Sequence, residues 1–407
     1  MGGVRQNRRR RTDGQHRHRQ GRRRAVLRPA VSDTLVADPT STDPTRLSTL
    51  NRYLPVWIGL AMVAGLGLGR ALPDLNDWLD KITIGTVSVP IAVGLLAMMY
   101  PVLAKVRYRR IGEHLGDHRT LGLSLVMNWV IGPALMFTLA WVFLGDLPEL
   151  RTGLIIVGLA RCIAMVLIWN DLACGNSELG AVLVAINSAF QILMYSVLGW
   201  FYLTVLPGWL GLDTQALDVG LWEIARSVLI FLGIPLLAGF LTRMLGEKRK
   251  GTEWYEQRFL PRIGPIALYG LLFTIVILFA LQGEQITDRP FDVARVAVPL
   301  LIYFAVMWFA SFFSGYRLGL PYDRNASVAF TAAGNNFELA IAVAISVFGV
   351  TSGQALAGTI GPLIEVPVLV ALVYVALWAK RRYYPDPRSD PATADASQPP
   401  TSTDRRR

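Results

Sequence analysis

The sequence predicts an all-α polytopic membrane protein. Of its 407 residues, 53% are hydrophobic and only 17% charged, a balance too apolar for an ordinary soluble chain. Residues 53–379 read as repeated apolar blocks with the charges gathered between them. Much of the +11 net charge sits in residues 1–25, so the hydrophobic body carries polar tails.

A bilayer core takes about 20 apolar residues per helix. That length predicts ten spans, at 54–72, 84–104, 121–144, 152–171, 178–206, 222–244, 262–282, 293–318, 326–348 and 355–379. Pro90, Pro101, Pro133, Pro235 and Pro367 fall inside them, where neighbouring helices can re-satisfy the freed carbonyls. The connections alternate in charge. Lys105, Arg107, Arg109, Arg110 and Arg119 lie between the second and third spans, and Arg243, Lys248, Arg249, Lys250, Arg258 and Arg262 between the sixth and seventh. The opposite loops are acidic, with Asp74, Asp77, Asp80, Asp146, Glu149, Asp213, Asp218, Glu284, Asp288 and Asp292. By the positive-inside rule the basic set faces the cytoplasm, and both termini of a multi-pass inner-membrane protein with it.

An even count with polar residues in the fourth and ninth spans suggests two five-helix halves. The first would run over 51–206 and the second over 222–380, joined by an extracytoplasmic connection at 207–221. Five is odd, so the second half enters the membrane inverted, as is common in secondary transporters. Residues 1–50 and 381–407 lack apolar periodicity and are expected to be disordered cytoplasmic tails. The first has no apolar stretch after its basic run and does not read as a signal peptide. An arginine run of this kind can touch anionic lipid or RNA. No aromatic residues are interleaved with it, so it reads as a solvated tail; membrane lipid is expected as a partner, nucleic acid and an obligate protein partner are not.

Cys162 and Cys174 cannot form a disulfide framework. His16, His18, His114 and His118 all lie in basic polar stretches. No histidine is left in a span to activate a thiol or bind a metal, which argues against a cysteine–histidine enzyme and predicts no cofactor. "GLGLGR" at 65–70 has no preceding strand and reads as helix packing rather than nucleotide binding.

Polar groups inside spans are the informative ones, because each costs roughly 2.5–3.5 kcal/mol at a helix centre if charged and tends to face a cavity or a partner. In "GLARCIAMVLIWNDLACGN" (158–176) these are Arg161, Asn170 and Asp171, with Cys162 beside the arginine. A lone membrane cysteine is usually a packed apolar residue. Here Arg161 puts a positive charge next to it, and sulfur is a soft ligand for metalloids; on a continuous helix Met165 and Trp169 would share its face. In "TAAGNNFELAIAVAI" (331–345), Thr331, Asn335 and Glu338 would fall on one helical face, and a carboxylate buried there can exchange protons near neutral pH. Asn336 adds a second amide; an amide-paired structural carboxylate is the alternative. Glu365, between Pro362 and Pro367, either lines the same cavity or satisfies backbone freed by the prolines. Asn187 and Gln191, at i and i+4, read as pathway groups or as interhelical hydrogen-bond glue.

These blocks, with "MMYPVLAKV" (98–106), "NWVIGPALMF" (128–137) and "GPLIEVPVL" (361–369), resemble the arsenical-resistance permeases of the bile acid/arsenite/riboflavin transporter superfamily over about 53–380. The resemblance implies ten helices in two inverted five-helix repeats, with the fourth and ninth broken and crossing near the midplane; Asn170 and Asp171 then read as the break in the fourth. It also implies arsenite as substrate, exported in exchange for protons, with antimonite as a further candidate. The family's required cysteine matches Cys162 and its required glutamate Glu338. The alternative on the same scaffold is a sodium-coupled organic-anion symporter using Asn335, Asn336 and Glu338 as cation ligands.

Overall fold

The structure, a computed structural model, describes residues 53–72, 75, 82–84, 87–108, 112, 116–163, 165–212 and 221–384. Residues 1–50 and 385–407 of the expected tails, 213–220 of the expected connection, Asp74, Asp77, Asp80, Arg109, Arg110 and His114 lie outside these.

The described residues form helices α1 (Leu54–Ala71), α2 (Val89–Ala104), α3 (His118–Leu144), α4 (Pro148–Leu159), α5 (Met165–Leu172), α6 (Ser177–Trp209), α7 (Leu221–Lys250), α8 (Leu260–Asp288), α9 (Pro290–Arg317), α10 (Tyr322–Ala333), α11 (Phe337–Phe348) and α12 (Gly353–Tyr383). Seven helical segments are long and apolar enough to cross a membrane, and α2 and α11 are shorter apolar helices. Their outer faces expose Val142, Leu193, Trp222, Phe291 and Tyr374, as a surface solvated by lipid tails requires. The chain is therefore a multi-pass membrane protein.

One expectation is corrected, at the start of the second span: Thr83–Ile84 (β1) and Val87–Ser88 (β2) pair antiparallel, and α2 starts only at Val89. Their β-branched residues suit extended backbone better than a helix turn. The fourth span is divided between α4 and α5, and the ninth between α10 and α11, the two interruptions that the family resemblance implies.

The prolines leave a regular signature. Wide π-helical turns occupy Met127–Ile131, Phe201–Val205, Leu229–Gly233 and Tyr255–Phe259. Each is followed, after one residue, by a proline: Pro133, Pro207, Pro235 and Pro261. Proline lacks an N–H and clashes with the carbonyl four residues back. Widening the turn by one residue relieves both problems without ending the helix.

Packing is tightest where glycine lets backbones approach. A Cβ on Gly65 would lie 2.6 Å from the Val276 carbonyl oxygen of α8, and Gly69 meets Ala280 one turn on. "GLGLGR" is thus a helix-packing seam. α1 and α2 pack on α8, and α2 also on α7; α4 packs on α3 and α12, α9 on α10 and α12, and α11 on α12. The deepest core lies in this second group, where Met136, Leu154, Tyr303, Phe330 and Ile360 are fully buried.

Candidate functional site

The two interruptions meet each other. α4 ends where Ala160 turns extended (φ −83°, ψ 109°), and α10 ends where Gly334 does the same (φ −73°, ψ 149°). The two extended pieces pair antiparallel at Arg161 and Asn335. Cys162 N donates to the Gly334 carbonyl at 3.3 Å, and Asn336 N to the Ala160 carbonyl at 3.0 Å. Four helix ends inside a membrane protein would otherwise leave orphan backbone groups; pairing the breaks satisfies part of that demand.

Side chains at the breaks supply the rest. Asn335 Nδ2 donates to the carbonyls of Val157 (2.8 Å) and Ala160 (3.2 Å), closing the end of α4. Asn336 caps α11 by accepting from Leu339 N at 3.1 Å. Gln191, from α6, accepts from Arg161 N at 2.6 Å. The Arg161 guanidinium donates to Tyr303 Oη at 2.7 Å and to the Gly158 carbonyl. It is fully buried and has no ion-pair partner among the described residues. Its charge therefore fastens the end of α4 to α9.

Cys162 is buried at the crossing. It is not on a helix, so Met165 and Trp169 do not continue its face as expected; it precedes α5, which starts at Met165. Glu365 reaches in from α12, where its Oε1 accepts from Asn335 N at 3.3 Å. A Cβ built on Gly334 would stand 3.3 Å from both Cys162 Sγ and Glu365 Oε1. Thiol and carboxyl thus flank the one residue in this segment that has no side chain.

Glu338 sits in the first turn of α11, almost fully buried. It lines a cavity of about 210 Å³ together with Met98, Lys105, Met165 and Asp171. Lys105 and Asp171 place the mouth of that cavity at the basic-loop end of the bundle. The cavity reaches Glu338 but does not include Cys162. Thr331, Asn335 and Glu338 do not form a continuous helical stripe, because the break at 334–336 intervenes.

Asn170 and Asp171 are not the break; they close α5, eight to ten residues beyond it. Asn170 Oδ1 accepts from Ser327 Oγ at 2.8 Å, tying α5 to α10, and Asp171 Oδ1 accepts from Ser177 Oγ at 2.6 Å. Asn187 accepts from Trp129 Nε1 at 3.1 Å and donates to Asn128 Oδ1 at 3.4 Å, which joins α6 to the first π-helical turn of α3. It is glue, whereas Gln191 touches the crossing. His118 is exposed at the start of α3. The site residue that sequence reasoning missed is Tyr303: a tyrosine in an apolar span looks like core, and only the buried guanidinium beside it reveals its role.

The chain resembles proteins of known family. The model of the sodium bile acid symporter family matches residues 92–289. An arsenical-resistance protein Acr3 from Corynebacterium glutamicum is 60% identical over 349 residues, covering 86% of this chain and 94% of that one. A second Acr3, from Alkaliphilus metalliredigens, is 32% identical over 82% of this chain and 94% of its own length. An uncharacterized transporter from Synechocystis is 38% identical over 82% of this chain and 91% of its own length. With 60% identity over 86% of its length to one Acr3 and 32% over 82% to another, the chain belongs to the Acr3 family of arsenical-resistance proteins.

Proposed function

We propose that the protein is an arsenite efflux carrier of the cytoplasmic membrane that exchanges trivalent arsenic for protons. The observation that carries this reading is the crossing itself: a buried thiol at the antiparallel contact of two broken helices, with Glu365 beside it and Glu338 on the adjoining cavity. Sulfur is the soft donor a trivalent metalloid prefers. Trivalent arsenic would dock on Cys162, with Arg161, Asn335 and Asn336 shaping the pocket and Glu365 at its wall. Glu338 would carry the coupling proton: protonation from outside favours release of arsenite, and deprotonation towards the cytoplasm favours rebinding. Antimonite, with the same thiol chemistry, would be carried too.

In this reading ten spans form two inverted five-helix repeats over 51–206 and 222–380, with α4/α5 and α10/α11 as the broken fourth and ninth spans. Both termini and the Glu338 cavity face the cytoplasm, in keeping with the basic loops at that end. The test is resistance of an arsenic-sensitive host. Wild type should confer growth on arsenite and antimonite, while Cys162→Ser and Glu338→Gln, expressed at the same level, should not; resistance retained by Cys162→Ser would refute the docking role.

One observation favours a second reading. Asn335 Oδ1 is buried without a hydrogen-bond partner, and the backbone N–H of the same residue donates to Glu365 Oε1 at 3.3 Å; oxygen donors of this kind suit a hard cation. The sodium-coupled symporter predicts transport that needs sodium and ignores thiol reagents.

A further inference from the structure

At the acidic-loop end of the bundle, away from the crossing, α3, α4, α6 and α12 enclose a cavity of about 150 Å³. Its polar lining is rich in donors. Arg151 is 7% exposed, lies 3.8 Å over the Trp141 ring, and makes one hydrogen bond, from Nη1 to the Gly145 carbonyl at 2.6 Å. Among the described residues it has no ion-pair partner. The Trp141 indole N–H lines the same space, buried and without an acceptor. Thr152, Tyr202 and Gln354, exposed by 2%, 7% and 5%, also line it.

Buried polar groups in proteins are normally paired. Indole can only donate and guanidinium can only donate, so the missing partner must be a strong acceptor. Water could accept from the neutral donors but would leave the buried positive charge uncompensated. A guanidinium fork matches tetrahedral phosphate oxygens. We infer that this cavity binds a phosphate group, supplied either by a phospholipid headgroup or by free inorganic phosphate. Glu149 sits at the rim, its Oε2 held by Gly353 N at 3.2 Å; it would meet the ammonium of a zwitterionic headgroup and repel a free dianion. A wider cavity of about 440 Å³ shares Pro148 and Glu149 with this one and gives it an approach. The inference is independent of what the crossing transports.

The test uses the full-length protein purified in a phosphate-free sugar detergent, with two arms: inorganic phosphate, and mixed micelles of phosphatidylethanolamine. Unfolding temperature and native mass spectrometry read binding. The expected result is saturable stabilisation with a single bound molecule in one arm, which also identifies the source. Arg151→Gln should abolish it; because that variant can fail to fold, Trp141→Phe, which keeps the ring and removes only the N–H, is the second probe. Trp141→Phe and Gln354→Leu should each weaken retention roughly threefold to tenfold, the worth of one hydrogen bond. No stabilisation in either arm, or retention by both folded variants equal to wild type, would overturn the proposal.

Discussion

Arg161 shows how one buried charge can fasten a helix break to its neighbours. Its two terminal guanidinium nitrogens bond to Tyr303 and to the last turn of α4, and its backbone N–H is taken by Gln191, while Nε stays buried without a partner. A buried charge that loses one of few partners costs about 1–3 kcal/mol. Tyr303→Phe removes only the hydroxyl, so it should lower thermal stability in detergent by an amount in that range while leaving expression measurable. An unchanged melting temperature would mean that the hydroxyl does not carry the contact. That Arg161 needs buried partners was legible in the sequence, because a charge inside an apolar run is costly wherever it sits. Its separation from the Cys162 thiol was not. Adjacent residues on a helix diverge by about 100°, and only the extended backbone at the break decides that the guanidinium turns to α9 while the thiol turns to Gly334 and Glu365.

Among the elements, the broken helices set the geometry of the site, and their caps can be tested one at a time. Asn336 closes the first turn of α11 just before Glu338. Asn336→Ala should cost about 1 kcal/mol, the usual worth of an N-cap, and should impair transport more than that loss alone explains, because the cap orients the turn that bears Glu338. Equal transport per folded molecule would separate the cap from the site. The helices were readable from apolar length, and the breaks followed from family resemblance. Their positions were misread at the fourth span: Asn170 and Asp171 look like an interruption because they are polar, yet they lie at the end of α5, where Asn170 accepts from Ser327 of α10 and Asp171 from Ser177. Polarity marks both helix ends and helix breaks, and pattern alone does not distinguish them. The strand pair before α2 was missed because no charged residue separates Thr83–Ile84 and Val87–Ser88 from the apolar span that follows.

Across the whole molecule, ion pairs tie separate elements at both ends of the bundle. At the basic end Arg107 meets Glu178 (3.2 Å) and Glu256 (2.9 Å), and Arg243 meets Glu256 (2.9 Å). At the acidic end Arg295 of α9 pairs with Asp146, after α3. Hydrogen bonds from Arg295 hold the Asp146 carboxyl down at about 2. A carboxylate depressed on folding contributes stability that is fully present above its unfolded value of about 3.9 and is lost as pH falls through its folded value. Asp146→Asn should therefore lower the unfolding temperature slightly, as exposed pairs do, by the same amount at pH 7 and pH 5. A difference that fades between those two values would place the titration elsewhere.

The central claim is that the crossing of the two breaks is the transport site, with Cys162 as the metalloid contact and Glu338 as the proton carrier. Arsenite uptake into everted membrane vesicles energised by a proton gradient tests it most directly. Wild type should accumulate arsenite and lose that accumulation when a protonophore collapses the gradient, whereas Cys162→Ala and Glu338→Gln should accumulate none above control vesicles. Full uptake by Cys162→Ala, or wild-type uptake indifferent to the gradient, would contradict it.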